Sequence, residues 1–173
     1  MNDEEHREKL IHILHMAYSG EKAAAFAYAG HWRAAWKREE RTGIAKIEQE
    51  EWEHRAIVGQ MLQELGAKPQ ALRELLMGTI GSVIFLACFI SGWFFPMYFA
   101  GRLEHANVHE YLDAAKHAAA LGLVQYESEL IRLSEVEQTH EDYFMARVQG
   151  HRLTPIMKQV FKWGPKKQIM PSP

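Results

Sequence analysis

A single cysteine, Cys88, is the only thiol in the chain. No intrachain disulfide can form, and the chain reads as cytosolic, without a disulfide framework. There is no excess of positive charge. The net charge is −2 with the histidines neutral, so nucleic acid is not an expected partner. No segment alternates in the two-residue rhythm of a strand bounded by turn pairs, and no low-complexity tract interrupts the chain. The opening "MNDEEHREKL" is polar and acidic, unlike a secretory signal or an arginine-rich transit peptide. The last absence is local. From Leu75 to Gly101, "LLMGTIGSVIFLACFISGWFFPMYFAG", no residue is charged. That length would allow a membrane span. However, Gly78, Gly81, Gly92 and Pro96 interrupt it, Thr79, Ser82 and Ser91 dilute it, and its flanks lack basic clusters. The expectation is a buried core helix plus its connector, with an apolar face resting on a bilayer as the alternative.

What the chain does have is helical periodicity and the bulk of one domain. It has 173 residues, 47% hydrophobic and 24% charged. Long helices are expected at about 4–37, 40–65, 84–120 and 123–149. The 67–83 stretch is a connector with room for a short helix. Gly66 and Pro69 stop the second helix, Gly122 separates the third from the fourth, and Gly150 ends the fourth. Pro96 either kinks the third helix or marks its true start. The expected fold is all-α: an antiparallel four-helix bundle over residues 1–150, with a long connection between the second and third helices. A basic amphipathic tail, residues 151–173, carries Lys158, Lys162, Lys166 and Lys167 beside Ile156, Met157, Val160, Phe161 and Trp163. It is expected either to lie on an anionic membrane surface or to dock on the bundle.

Steps of three and four residues define a seam on each helix. On the second they pass through Ile44, Ile47, Glu51, His54, Val58, Met61 and Leu65. Glu48 and Glu53 point elsewhere and Glu50 sits on the flank. On the fourth the seam is Tyr126, Leu130, Leu133, Glu137, His140 and Phe144. Each seam thus carries a Glu-x-x-His pair in an otherwise apolar stripe. A buried carboxylate is costly unless paired or bound to a cation. Four-helix di-metal sites resolve that cost with two Glu-x-x-His helices and one inward glutamate from each of the other two. Both glutamates exist. Glu21 interrupts Leu10, Leu14, Ala17, Ala24 and Tyr28 on the first helix. Glu104 interrupts Trp93, Met97, Ala100, Asn107 and Tyr111 on the third.

Four carboxylates supply −4, which balances two divalent ions, iron with manganese as the alternative. Glu21 with His54 would hold one metal and Glu104 with His140 the other, with Glu51 and Glu137 bridging. Any one of these six could be a salt-bridged or otherwise satisfied core group; all six in register point to a metal-binding layer. Glu110 is a rival ligand of less central phase, near His105 and His109. His12, His15, His31, His117 and His151 read as surface or supporting groups. Glu141 or Asp142 is expected to orient His140 or its neighbours. Tyr28, Tyr111 and Tyr126 lie on seams, where packing is the default role.

With those residues in place, the chain resembles the ferritin-like di-iron carboxylate superfamily. It is most similar to the demethoxyubiquinone hydroxylase family of ubiquinone biosynthesis. The resemblance covers roughly residues 10–145 and rests on "SGEKAA" around Glu21, "EEWEH" around Glu51 and His54, "GRLEHANVHEY" around Glu104, and "EVEQTH" around Glu137 and His140. Gly20 and Tyr111 also fit the family pattern. Glu110 stands where family members tend to have histidine, and "PMYFAGR" replaces small and hydroxylated residues. The resemblance implies a di-iron monooxygenase that takes O2 as co-substrate and hydroxylates an apolar molecule such as a quinone ring. Tyr111 is implied as a further catalytic residue. The implied setting is cytoplasmic, peripheral on the inner face of a membrane, in a homodimer. The rival reading is a ferritin-like or rubrerythrin-like iron oxidase, peroxidase or metal-binding protein without hydroxylase activity.

Overall fold

The computed structural model describes residues 1–165. The chain forms α1 (Asp3–Ala34), α2 (Arg38–Glu64), α3 (Ala71–Ala87), α4 (Phe94–Ala120), α5 (Val124–Val148) and α6 (Thr154–Phe161). No strand occurs among the described residues, so the molecule is an all-helical bundle. A capping box starts α1. The Asn2 side chain accepts from the Glu5 amide at 2.9 Å, and the Glu5 carboxylate accepts from the Asn2 amide at 3.0 Å. Asp3, Glu4 and Glu5 place negative charge on the same turn, where the helix dipole favours it.

The turn after α1 needs no glycine. Ala35 and Lys37 are in extended backbone, with ψ of 138° and 134°. Gly43, six residues beyond Lys37, lies inside α2 instead, with its missing side chain filled by the Tyr143 ring. Gly122, by contrast, takes φ +69° and reverses the chain between α4 and α5, the left-handed conformation only glycine adopts freely.

The expected third helix, 84–120, is two elements. Its first residues belong to α3, a turn follows at 88–93, and α4 begins at Phe94 with Pro96 in its first turn, where no backbone partner is lost. The connector expected over 67–83 is therefore mostly helix. This boundary is illegible for a physical reason. Neither the end of α3 at Cys88 nor the start of α4 at Trp93 has a side-chain cap. Gly92, at φ +74°, and Pro96 punctuate the run once the turn has begun, but nothing marks where α3 ends.

The α3 helix is also not a core element. It packs along α1, and its only fully buried positions are Gly78 and Gly81. A Cβ on Gly81 would lie 2.6 Å from the Ala23 carbonyl oxygen, and one on Gly30 would lie 2.5 Å from Phe85 Cα, so the two backbones touch through glycine. Glu74 ties the start of α3 down, pairing with Arg55 at 2.5 Å and Lys22 at 3.6 Å. Leu72, Leu75, Leu76, Val83 and Leu86 face outward, and Ile90 in the following turn is 88% exposed. No described helix is long and apolar enough to cross a membrane. Replacing Gly81 by valine should force α3 off α1, with a loss of about 1–3 kcal/mol in denaturant unfolding. An unchanged midpoint would contradict the close approach.

The other long helices pack as α1 on α2 and α4, and α5 on α4 and α2. Residues early in α1 meet residues late in α4, as His6 meets His117, so the two run in opposite directions. Two apolar cores result. One gathers Leu10, Leu14, Val58, Leu62, Ala114, Leu130 and Leu133. The other gathers Tyr28, Ile44, Ile47, Met97, Tyr98, Phe144 and Val148. The seam residues follow the sequence phase, although Leu65, Tyr126, Trp93 and Asn107 are only half-buried.

The tail docks. Thr154 donates to the Val148 carbonyl at 2.7 Å, and Trp163 is buried against Gly101 and Phe144. The Trp163 indole donates to Glu141 at 2.8 Å, and its carbonyl accepts from Tyr98 at 2.6 Å. Ile156 and Val160 remain exposed. Lys166 and Lys167 lie outside the described residues.

Candidate metal centre

Between the two apolar cores lies a polar layer. Glu51, Glu104 and Glu137 are fully buried, and Glu21, His54 and His140 nearly so. One ligand atom from each of Glu21, Glu51, His54 and Glu137 falls within 4.8 Å of the others, and the same holds for Glu51, Glu104, Glu137 and His140. The two groups share Glu51 and Glu137. All six seam residues are thus brought to one place, in two overlapping sets that could each hold a metal ion.

Imidazole orientation is specific. His54 Nδ1 faces Glu137 at 2.9 Å, and His140 Nδ1 lies 3.4 Å from Glu51 and 3.5 Å from Glu137. The two rings lie 6.0 Å apart, inclined at 23°. On its outer edge His140 Nε2 donates to Glu50 at 3.0 Å. That bond puts the ring proton outside and leaves the Nδ1 lone pair facing inward. The residue orienting His140 is therefore Glu50, across the α2–α5 contact, not Glu141 or Asp142. Glu141 is taken by Trp163 and by His105 at 3.1 Å, while Asp142 accepts from Gln138 at 3.1 Å. Glu53 is exposed, as its phase requires, and Glu48 is half-buried, accepting from Trp32 at 2.6 Å.

Two tyrosines clasp the outer glutamates reciprocally. Tyr28 on α1 donates to Glu104 on α4, and Tyr111 on α4 donates to Glu21 on α1. Each tyrosine stands seven residues after the glutamate of its own helix, so opposed helices deliver each phenol to the other's carboxylate. Asn107 donates a further bond to Glu104 at 3.2 Å. Tyr126 is elsewhere, donating to Glu64 near the end of α2.

The layer is electrostatically frustrated without a cation. Burial pushes the carboxyls of Glu21, Glu51 and Glu104 above their ordinary range, and the negative charge of Glu137 adds to the push. Burial acts on Glu137 in the same sense, but the nearby His140 imidazole and the hydrogen bond from His54 override it and hold the group down to about 2. His54 is raised, its bond to Glu137 outweighing the cost of burial. Among the described residues, Glu21 Oε2, both Glu51 oxygens, Glu137 Oε2 and His140 Nδ1 are sealed from solvent with no hydrogen-bond partner. Such atoms are expensive to leave unpaired. They belong to the residues that form the two sets, and carboxylate oxygen with imidazole nitrogen suits divalent iron or manganese. The donors present fit a two-metal site.

Glu110 does not join either set, although its Oε1 is also sealed without a partner. It lines a cavity of about 20 Å³ with Glu21 and Tyr111, and burial raises its carboxyl to about 7. His15 bonds the Lys68 carbonyl at 2.9 Å, and His12 is exposed. His151 stacks on Phe94 at 4.2 Å. Of the histidines expected as surface or supporting groups, two are buried: His117, bonded to His6 at 2.9 Å, and His31.

His31 opens onto the feature least visible in sequence. Ala27, Tyr28, Ile84, Cys88, Phe95 and Phe99 are among the walls of a cavity of about 520 Å³ between α1, the end of α3 and the start of α4. Its lining is almost wholly apolar, and Tyr28 separates it from Glu104. No local pattern marks such a cavity, because its walls come from segments some 60 residues apart in the chain. Glu50 was legible only as a flanking acid, and the Tyr28 bond only as a seam position. In comparisons with family models, curated proteins and solved structures, nothing matches this chain.

Proposed function

We propose that the protein is a di-iron, O2-activating monooxygenase that hydroxylates an apolar, ring-bearing molecule such as a quinone. In this reading the bundle is ferritin-like, α3 is the long crossover between its second and third core helices, and the enzyme is similar to the demethoxyubiquinone hydroxylases. The observation that carries the proposal is the adjacency of two features. Two overlapping sets of buried carboxylates and imidazoles, five of whose atoms are sealed without a hydrogen-bond partner, lie one tyrosine away from an apolar cavity.

Glu21 and His54 would hold one metal, Glu104 and His140 the other, with Glu51 and Glu137 between them. When bound, a reduced metal pair of this kind supplies electrons to O2 and the means to insert one oxygen atom into an unactivated bond. The chain's own residues do the rest. Glu50 fixes the His140 tautomer, and Tyr28 and Tyr111 hold Glu104 and Glu21 in place. Phe95, Phe99 and Leu103 give the cavity an apolar wall and leave it room for a ring. An iron oxidase or store without hydroxylase activity, the rival, has no use for such a cavity.

The test is aerobic incubation of the reduced, iron-loaded protein with quinone-precursor rings, read by mass spectrometry. A product one oxygen atom heavier, its label drawn from isotopic O2, is expected. Consumption of O2 without any oxygenated ring would favour the rival.

The outward apolar side chains of α3, with Phe89, Ile90, Phe95 and Phe99 beside the cavity, make the proposed docking face for a lipid surface. Cosedimentation with vesicles is expected and should be lost in a Leu72→Glu, Leu76→Glu, Ile90→Glu variant. A wild-type mass of two chains in sedimentation without vesicle binding would instead assign that face to a homodimer.

A further inference from the structure

His31 is the unusual wall of the apolar cavity. Its imidazole is 5% exposed and lies between the large cavity and a smaller one of about 60 Å³. Its plane is set by stacking, with Tyr28 at 6.4 Å and Phe144 at 5.9 Å. Tyr28 and Phe144 also stack on each other at 5.7 Å, inclined by 9°. The ring is therefore held in one orientation by packing alone. Among the described residues neither ring nitrogen is given a hydrogen bond, and no charged group bears on the ring. Burial lowers its basicity to about 4, so it is neutral at physiological pH. A neutral imidazole offers one donor and one acceptor.

The other polar groups of the wall are spent or weak. The Tyr28 hydroxyl donates to Glu104, and the Cys88 thiol points to the Ala27 carbonyl at 3.9 Å. Ser91 alone competes. A hydrogen-bonding group on an otherwise apolar wall is what fixes a ligand's orientation in such cavities.

We infer that His31 is the specificity-determining anchor of the cavity, hydrogen-bonding an oxygen substituent, hydroxyl or carbonyl, on an otherwise apolar ring. The inference rests on the cavity being the substrate site. The substrate would then carry at least one ring oxygen, as a quinone does. An imidazole one helical turn beyond Tyr28 would hold that oxygen on the α1 side of the cavity and turn the rest of the ring toward Tyr28 and Glu104.

Thymol and p-cymene test this directly, because they share a skeleton and differ by one hydroxyl. Calorimetric titration of the full chain should show thymol binding about fivefold to tenfold more tightly than p-cymene, the worth of one net hydrogen bond. In His31→Leu the preference should vanish while p-cymene affinity stays, which also certifies the fold. His31→Gln, which keeps a donor and an acceptor, should retain most of the preference. If thymol keeps its advantage in His31→Leu, or loses it in Ser91→Ala instead, the anchor is not His31. If both compounds bind the wild type equally, the anchor fails but the apolar cavity stands as a ligand site. If neither binds, the cavity reading itself fails and takes the anchor with it.

Discussion

Glu137→Ala is expected to abolish metal binding. Wild-type protein reconstituted with ferrous iron or manganese should hold about two ions per chain, the stoichiometry of a site with four carboxylates and two imidazoles. Glu137 belongs to both ligand sets, its carboxylate is reached by both histidines, and it is the one acid of the layer held strongly ionised. Removing it takes a donor from both positions and leaves His54 without its partner. Glu53→Ala, two positions from Glu51 but outside the seam by helical phase, should change nothing, because Glu53 is exposed and accepts from Gln49 at 3.1 Å away from the layer. Elemental analysis after gel filtration decides the matter. Equal metal content in the two variants would overturn the assignment of the seam.

That seam explains what the sequence could and could not reveal. Glu51 and His54 were separable from Glu48, Glu50 and Glu53 because a helix has a fixed period, and the burial of those five residues follows phase. The same period located Glu21, Glu104, Glu137 and His140. It could not locate the end of α3, where an apolar run has no caps to mark it. Nor could it tell that α3 would turn its leucines outward, because which face of a uniformly apolar helix is buried depends on the glycines that admit α1 and not on an amphipathic stripe. Acids that act across a helix contact are illegible for a related reason. Glu141 and Asp142 are close to His140 in sequence, but the inward Nδ1 already faces the layer, so the free Nε2 is served from the neighbouring helix by Glu50.

The reciprocal tyrosines sharpen the internal likeness of the two halves. Glu21 with Tyr28 and Glu104 with Tyr111 share one spacing on opposed helices, so each half supplies the clasp for the other. A half-molecule would therefore lack both clasps and complete neither ligand set, because each set takes Glu51 from one half and Glu137 from the other. The layer is built only when α1 and α4 meet, which couples the formation of the site to the tertiary fold and not to either hairpin alone.

Glu51→Gln should change stability in opposite directions with and without metal. In the metal-free chain, burial first, and then the charges of Glu137, Glu21 and Glu104, raise the Glu51 carboxyl well above 4.5. Above that pH the folded state retains a proton that the unfolded state has released, so this group's contribution is fully present in acid and lost as pH rises through the raised value. Glu21 and Glu104 act in the same sense, while Glu137, held at about 2, acts in the opposite sense and only below its ordinary range. Glutamine keeps the shape and removes the titration. Replacing a poorly compensated buried charge is worth about 1–4 kcal/mol, so the metal-free variant should melt on the order of 5 °C higher than metal-free wild type at pH 7.5, and no higher at pH 4. With metal the order reverses. Free ion at a hundred times its dissociation constant stabilises the wild type by about 2.7 kcal/mol, roughly 5–10 °C in a chain of this size. The variant, short of one charge that both candidate sets share, should gain little. Calorimetric melts of both proteins, with and without manganese at the two pH values, supply the comparison. A variant that melts below wild type in every condition would mean that Glu51 is a structural hydrogen-bonding group, and that the strain in this layer is not held there for a cation.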